Sequence, residues 1–84
     1  DVAVLVDVRT PEEFKAGHLP HAINIPHDKI PTLSQFTVSM DFPIYVYCRS
    51  GNRSKEAKKE LEKLGYTTVI DLGGIENYKG KLEK

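Results

Sequence analysis

The stretch Ile44-Tyr45-Val46-Tyr47-Cys48-Arg49-Ser50-Gly51-Asn52-Arg53-Ser54 changes character at its midpoint. Pro43 precedes Ile44 to Tyr47, four β-branched and aromatic residues with the composition of a strand. From about Arg53 to Leu64 the pattern is helical, with Ala57, Leu61 and Leu64 recurring at i, i+4 and i+7 and Gly65 placed to stop the helix. A strand that runs through a short polar loop straight into a helix is the building unit of a parallel α/β sheet. The rest of the chain repeats the alternation.

Upstream, Val4-Leu5-Val6-Asp7-Val8 is a continuous β-branched run, which reads as a strand buried on both faces. Thr10 can cap a following helix, Pro11 suits its first position, Glu13 completes a capping box, and Gly17 ends it. Ala22 to Ile25 alternates between Pro20 and Pro26, which suggests a brief edge strand. In residues 27–42, Leu33 and Phe36 could share one side of a helix, which Pro31 confines to starting there or beyond. Downstream, Thr67 to Leu72 is another β-branched strand, and Gly73-Gly74 turns the chain into a last helix-like piece carrying Ile75, Tyr78 and Leu82. This order implies βαβ crossovers, hence an α/β fold with a small parallel sheet flanked by helices on both faces. Residues 1–84 read as a single domain, without repeat or linker.

Composition narrows the functional classes. Twelve Lys and Arg against twelve Asp and Glu leave no net charge, which argues against nucleic acid or a membrane surface as a partner. No apolar run approaches the roughly 20 residues of a membrane span. A single cysteine cannot form an internal disulfide, so the fold is not a stapled secreted scaffold. The chain starts at Asp1 rather than Met, which reads as trimming, either by design or by loss of a targeting peptide. The expected compartment is cytoplasmic, or periplasmic if a signal peptide was removed. A monomer or a weak homodimer is expected.

The lone thiol sits where chemistry is expected. Parallel sheets bind ligands beyond the carboxyl ends of their strands, and Cys48 stands at such an end with a helix starting just after it. A free cysteine often packs as a small hydrophobe, but the following Arg49, Ser50, Gly51, Asn52, Arg53 and Ser54 are poor material for a core. They suit a loop whose backbone N–H groups converge on an anion, with Gly51 free to adopt unusual angles. An unperturbed thiol is only about 3% ionised at neutral pH, and lowering its pKa to about 6.5 takes roughly 2.7 kcal/mol. A helix terminus offers about 0.3–1 kcal/mol and a hydrogen bond to a charged group about 1.5–3, so two or three converging donors suffice.

Two segments resemble the rhodanese-like sulfurtransferases. The run Asp7-Val8-Arg9-Thr10-Pro11-Glu12-Glu13-Phe14-Lys15-Ala16-Gly17-His18-Leu19-Pro20-His21-Ala22-Ile23-Asn24-Ile25-Pro26 is similar to the family's N-terminal signature, and Cys48-Arg49-Ser50-Gly51-Asn52-Arg53-Ser54 to its active-site loop. A weaker third likeness is Leu72-Gly73-Gly74-Ile75-Glu76-Asn77-Tyr78, with Tyr78 where the family often has Trp. In size the chain is most similar to the short phage-shock-protein-E type; it has almost nothing where many members carry a further strand and helix before the Asp-Val-Arg segment, as expected of a short-form member or of a chain whose N-terminal edge has been cut. The resemblance implies strand order 68–71, 44–47, 4–8, 22–25. It also implies that a Cys48 thiolate takes sulfane sulfur from a small anionic donor such as thiosulfate, forms a persulfide, and passes the sulfur to cyanide or a thiol. Arg49 and Arg53 would attract and orient the donor, and neither a metal nor an organic cofactor is required.

Two alternatives compete. Cysteine phosphatases and arsenate reductases share the Cys-loop-Arg pattern, but their signature has five residues between Cys and Arg, whereas four separate Cys48 from Arg53, and Tyr47 rather than His precedes the cysteine. A non-catalytic rhodanese-like binding or regulatory module is the other, although such modules often lose the cysteine. His18, His21 and His27 have no common metal-site spacing. Asp7, Arg9 and Glu13 read as a buried ion-pair set that fixes the strand-to-helix turn. Glu56 with Lys59 and Glu60 with Lys63 make Lys55 to Lys63 a solvated helix face rather than a basic tract.

Overall fold

The structure is a computed structural model and describes residues 3–35, 39–78 and 80–84. Four strands form it: β1 (Val4–Asp7), β2 (Ile23–Asn24), β3 (Ile44–Cys48) and β4 (Val69–Gly74). They pair in parallel in the order β2-β1-β3-β4, the order the resemblance implies. Helix α1 (Pro11–Ala16) follows β1, and α2 (Asn52–Lys63) follows β3. A 3-10 segment, His27–Gln35, joins β2 to the approach of β3, and a 3-10 turn, Ile75–Asn77, follows β4.

Side chains alternate across a strand, and here the two faces carry different chemistry. Val6, Val8, Ile44, Val46 and Cys48 point to one side, where they pack with Ile30 and Leu33 of the 3-10 segment and Ala57 and Leu61 of α2. Asp7 and Tyr47 are also buried but lie outside that cluster, on the other face. The apparently continuous burial of the first strand is thus two kinds of burial, hydrocarbon on one side and a satisfied polar network on the other.

That network starts from Asp7. Its carboxylate accepts from the Arg9 side chain, with Nη2 at 2.7 Å and Nε at 3.0 Å, and from the Arg9 backbone N–H at 2.9 Å. The Tyr47 hydroxyl donates to the same carboxylate at 2.9 Å and accepts from the Leu19 N–H at 3.0 Å. Arg9 Nη2 also reaches the Gly17 carbonyl at 2.7 Å. Burial, with the neighbouring Asp7 charge, pushes the Tyr47 phenol far above its ordinary range, while the hydrogen bond from Leu19 and the Arg9 charge oppose this. The expected Asp7–Arg9 pair is present and fixes the turn out of β1. Glu13 does not join it.

Several expectations change in detail. The capping box forms, with the Thr10 N–H donating to Glu13 at 3.0 Å and the Glu13 N–H donating to Thr10 at 3.3 Å. The edge strand shrinks to two residues. Pro31 lies inside the 3-10 segment, which is kinked at Lys29, and Phe36 lies outside the described residues. On α2 the buried stripe is Ser54, Ala57 and Leu61, whereas Leu64 is exposed because the helix ends there and the chain turns away. The ion pair found on the solvated face is Lys58–Glu62 at 3.5 Å, one turn apart. Gly73 and Gly74 continue β4 rather than turning, since Leu72 is an extra residue bulged out between the pairs Val46–Asp71 and Tyr47–Gly73. The final piece is a single 3-10 turn, not a helix. Beyond it the tail pairs antiparallel with the segment after α1, through reciprocal His18–Glu83 backbone hydrogen bonds.

Candidate active site

β3 carries Cys48 to the carboxyl edge of the sheet, and the loop to α2 folds back over it. Gly51 has φ 104°, a left-handed conformation that costs glycine little. That turn aims the Gly51 N–H at the Cys48 sulfur, 2.9 Å away. The Ser54 hydroxyl lies 3.6 Å from the same sulfur on the buried stripe of α2. Cys48 itself is 1% exposed, so the thiol lies beneath the loop rather than on its rim. Burial pushes its pKa up and is the largest single influence. The backbone N–H groups of Ser54, Gly51 and Ser50, joined by the Ser54 hydroxyl whenever its proton turns to the sulfur, outweigh it and hold the thiol below its ordinary value.

The two loop arginines part company. Arg53 grips Glu13 with both nitrogens, Nη1 to Oε1 at 2.7 Å and Nη2 to Oε2 at 3.0 Å, a bidentate pair that ties the start of α2 to α1. The Arg49 guanidinium makes no hydrogen bond or ion pair among the described residues and is exposed. Ser50 and Asn52 are exposed as well. The loop therefore presents one uncommitted cation, Arg49, while Arg53 serves as a strut.

Three residues outside the expected set shape the loop. Glu13 braces Arg53. Asp71 on β4 accepts from the Ser54 hydroxyl at 2.6 Å and from the Gly73 N–H at 2.8 Å. Gly74 abuts the loop so closely that a Cβ there would stand 2.5 Å from the Arg49 carbonyl oxygen. The paired glycines were the visible signal for the last of these, and the capping box explained Glu13 without its second role. Of the histidines, His18 stacks on Phe14 with centroids 3.7 Å apart and shares a contact with the Phe14 carbonyl at 2.9 Å.

Glu13 yields a first prediction. The Arg53 fork, with help from Thr10 and against the opposing effect of burial, lowers the Glu13 pKa from 4.5 to about 2. A lowered folded-state pKa stabilises above the unfolded value, and that stability is lost as pH falls from 4.5 towards about 2. Glu13→Ala should cost about 1–2 kcal/mol at neutral pH through the lost box and ion pair. The gap from the parent protein in urea unfolding should narrow at about pH 3. An equal gap at both pH values would show that the charge of Glu13 does not matter.

A parallel four-stranded sheet with a cysteine at the carboxyl end of an inner strand, capped by an amide-lined loop running into a helix, defines a class of α/β domain built around a buried cysteine sulfur. Residues 1–81 match the Rhodanese-like domain, and the chain belongs to that family. It is 34% identical over 73 residues to thiosulfate sulfurtransferase PspE of Escherichia coli, covering 86% of this chain and 70% of that protein. It is 38% identical over 80 residues to the adenylyltransferase and sulfurtransferase uba4 of Ogataea parapolymorpha, covering 94% of this chain but only 21% of that much longer protein. The solved structure of an E. coli rhodanese with anions superposes with a TM-score of 0.90 at 31% identity, covering 98% of each chain. Among the described residues no helix is long and apolar enough to cross a membrane.

Proposed function

We propose that the protein is a thiosulfate-type sulfurtransferase working through a persulfide on Cys48. The observation that carries this reading is the Gly51 N–H directed at the Cys48 sulfur from 2.9 Å, inside a loop that holds the thiol below its ordinary pKa. The thiolate attacks the outer sulfur of thiosulfate, a new S–S bond forms, and the bond to the sulfonate sulfur breaks as sulfite leaves with its electron pair. Cyanide or an acceptor thiolate then attacks the outer sulfur of the persulfide and restores the Cys48 thiolate. Two half-reactions at one nucleophile require ping-pong kinetics. Amides in the loop hold the anion in both halves without reorganising, which lowers the cost of each step.

Arg49 supplies recruitment, since its guanidinium is uncommitted and can pair with the sulfonate oxygens of an arriving dianion. Arg49→Ala should lower kcat/KM for thiosulfate about 10- to 100-fold, the equivalent of one lost charge-assisted contact. Melting should be unchanged, because the side chain is exposed. A melting loss as large as the activity loss would assign Arg49 to the fold instead.

The deciding experiment is intact mass before and after incubation with thiosulfate, then after reductant. Gain and loss of one sulfur atom supports the reading. Turnover of p-nitrophenyl phosphate without sulfur uptake points to a phosphatase, and neither result points to a binding module.

A further inference from the structure

Ser54 has one hydroxyl proton and three groups within reach of it. The Asp71 carboxylate is 2.6 Å away, the Gly51 carbonyl 3.1 Å and the Cys48 sulfur 3.6 Å. A charged acceptor at the shortest distance takes the proton, since charge-assisted hydrogen bonds are about twice as strong as neutral ones. The Ser54 oxygen then faces Cys48 with a lone pair, and the S–H donates to it. Removing the thiol proton leaves a thiolate opposite that lone pair unless the hydroxyl swings away from Asp71. We propose that Asp71 is a positioning residue that sets the direction of the Ser54 hydroxyl and so restrains ionisation of Cys48. A Ser54 proton turned to the sulfur would join the loop amides in favouring the thiolate; Asp71 draws that proton away and so opposes them, and the thiol settles between the two.

The surroundings leave Asp71 as the negative group coupled to the sulfur through Ser54. From α2, the Arg53 charge attracts the Cys48 anion, but it is shared with Glu13 of α1. Arg49 of the loop is exposed, and Glu76 of the following 3-10 turn meets the loop through its backbone N–H on the Arg49 carbonyl. Asp7 and Arg9 neutralise one another on the opposite face of the sheet. Ser54 is fully buried, so water does not substitute for either partner.

This inference rests on Cys48 being the nucleophile, and its test uses no sulfur donor. Asp71→Asn keeps the shape and an acceptor for the Gly73 N–H but removes the charge. At pH values below the thiol midpoint, the thiolate population, followed by its ultraviolet absorbance and by iodoacetamide alkylation, should rise about threefold to tenfold. In a Ser54→Ala background the same substitution should change nothing. No rise in the single variant, or an equal rise without Ser54, overturns the proposal. The parent protein offers a measurement free of folding effects. The Asp71 carboxyl carbon in NMR should show an inflection at the Cys48 midpoint that disappears in Ser54→Ala and after alkylation. Absence of that inflection, or its persistence in Ser54→Ala, also overturns it. A persulfide that never forms while the inflection is present would sink the sulfurtransferase reading and leave this one standing.

Discussion

Cys48→Ser is expected to abolish sulfur uptake from thiosulfate and to leave the fold in place. A serine hydroxyl stays protonated at neutral pH and cannot displace sulfite, so the covalent half-reaction has no substitute. The loss should be at least about a thousandfold in cyanide-dependent thiocyanate formation, the scale on which removal of a nucleophile is felt. Stability should change by no more than about 1–2 kcal/mol, because the new hydroxyl inherits the Gly51 N–H and Ser54 as partners. Intact mass checks the chemistry and thermal melting the fold. Residual activity within tenfold of the parent would place the transfer on another group.

Asp7→Ala should have the largest effect on stability. The Arg9 side chain is 8% exposed, and the substitution strands its charge in that position while removing the acceptor of the Tyr47 hydroxyl. Breaking one partner of a buried pair costs about 3–5 kcal/mol. A domain of this size holds only about 4–13 kcal/mol in total. Urea unfolding at neutral pH should show the loss, and adding Arg9→Met should recover part of it by removing the orphaned charge. A cost below about 1 kcal/mol would mean that water reaches the pair and that the network is not a fixed part of the fold.

Much of this was readable beforehand, for physical reasons. β-branched runs located β1, β3 and β4, with Pro43 and Gly65 ahead of the last two, and crossover logic made them parallel. The capping box at Thr10 and Glu13 formed as its spacing requires. What could not be read depended on partners distant in the chain. Glu13 satisfied a local rule completely, so nothing in the sequence pointed to its grip on Arg53, forty positions away. The stripe on α2 begins at Ser54, a polar residue that an apolar period does not count, and stops before Leu64 because the helix ends there. Asp71 drew no notice in a strand, since its role follows from a bulge at Leu72 that hydrophobic patterning does not encode. The segment 27–35 has too few apolar residues to declare a period, and Pro31 inside it favours the tighter 3-10 turns found there.

The consecutive residues Tyr47 and Cys48 point through opposite sides of one strand. One anchors a rigid lattice of charges, and the other is the reagent of the proposed function. β3 is thus a partition wall between a foundation and a workshop. The network fixes the turn that leads into α1, and the Arg53–Glu13 clasp ties α1 to the start of α2, so settling in the foundation would be felt in the workshop.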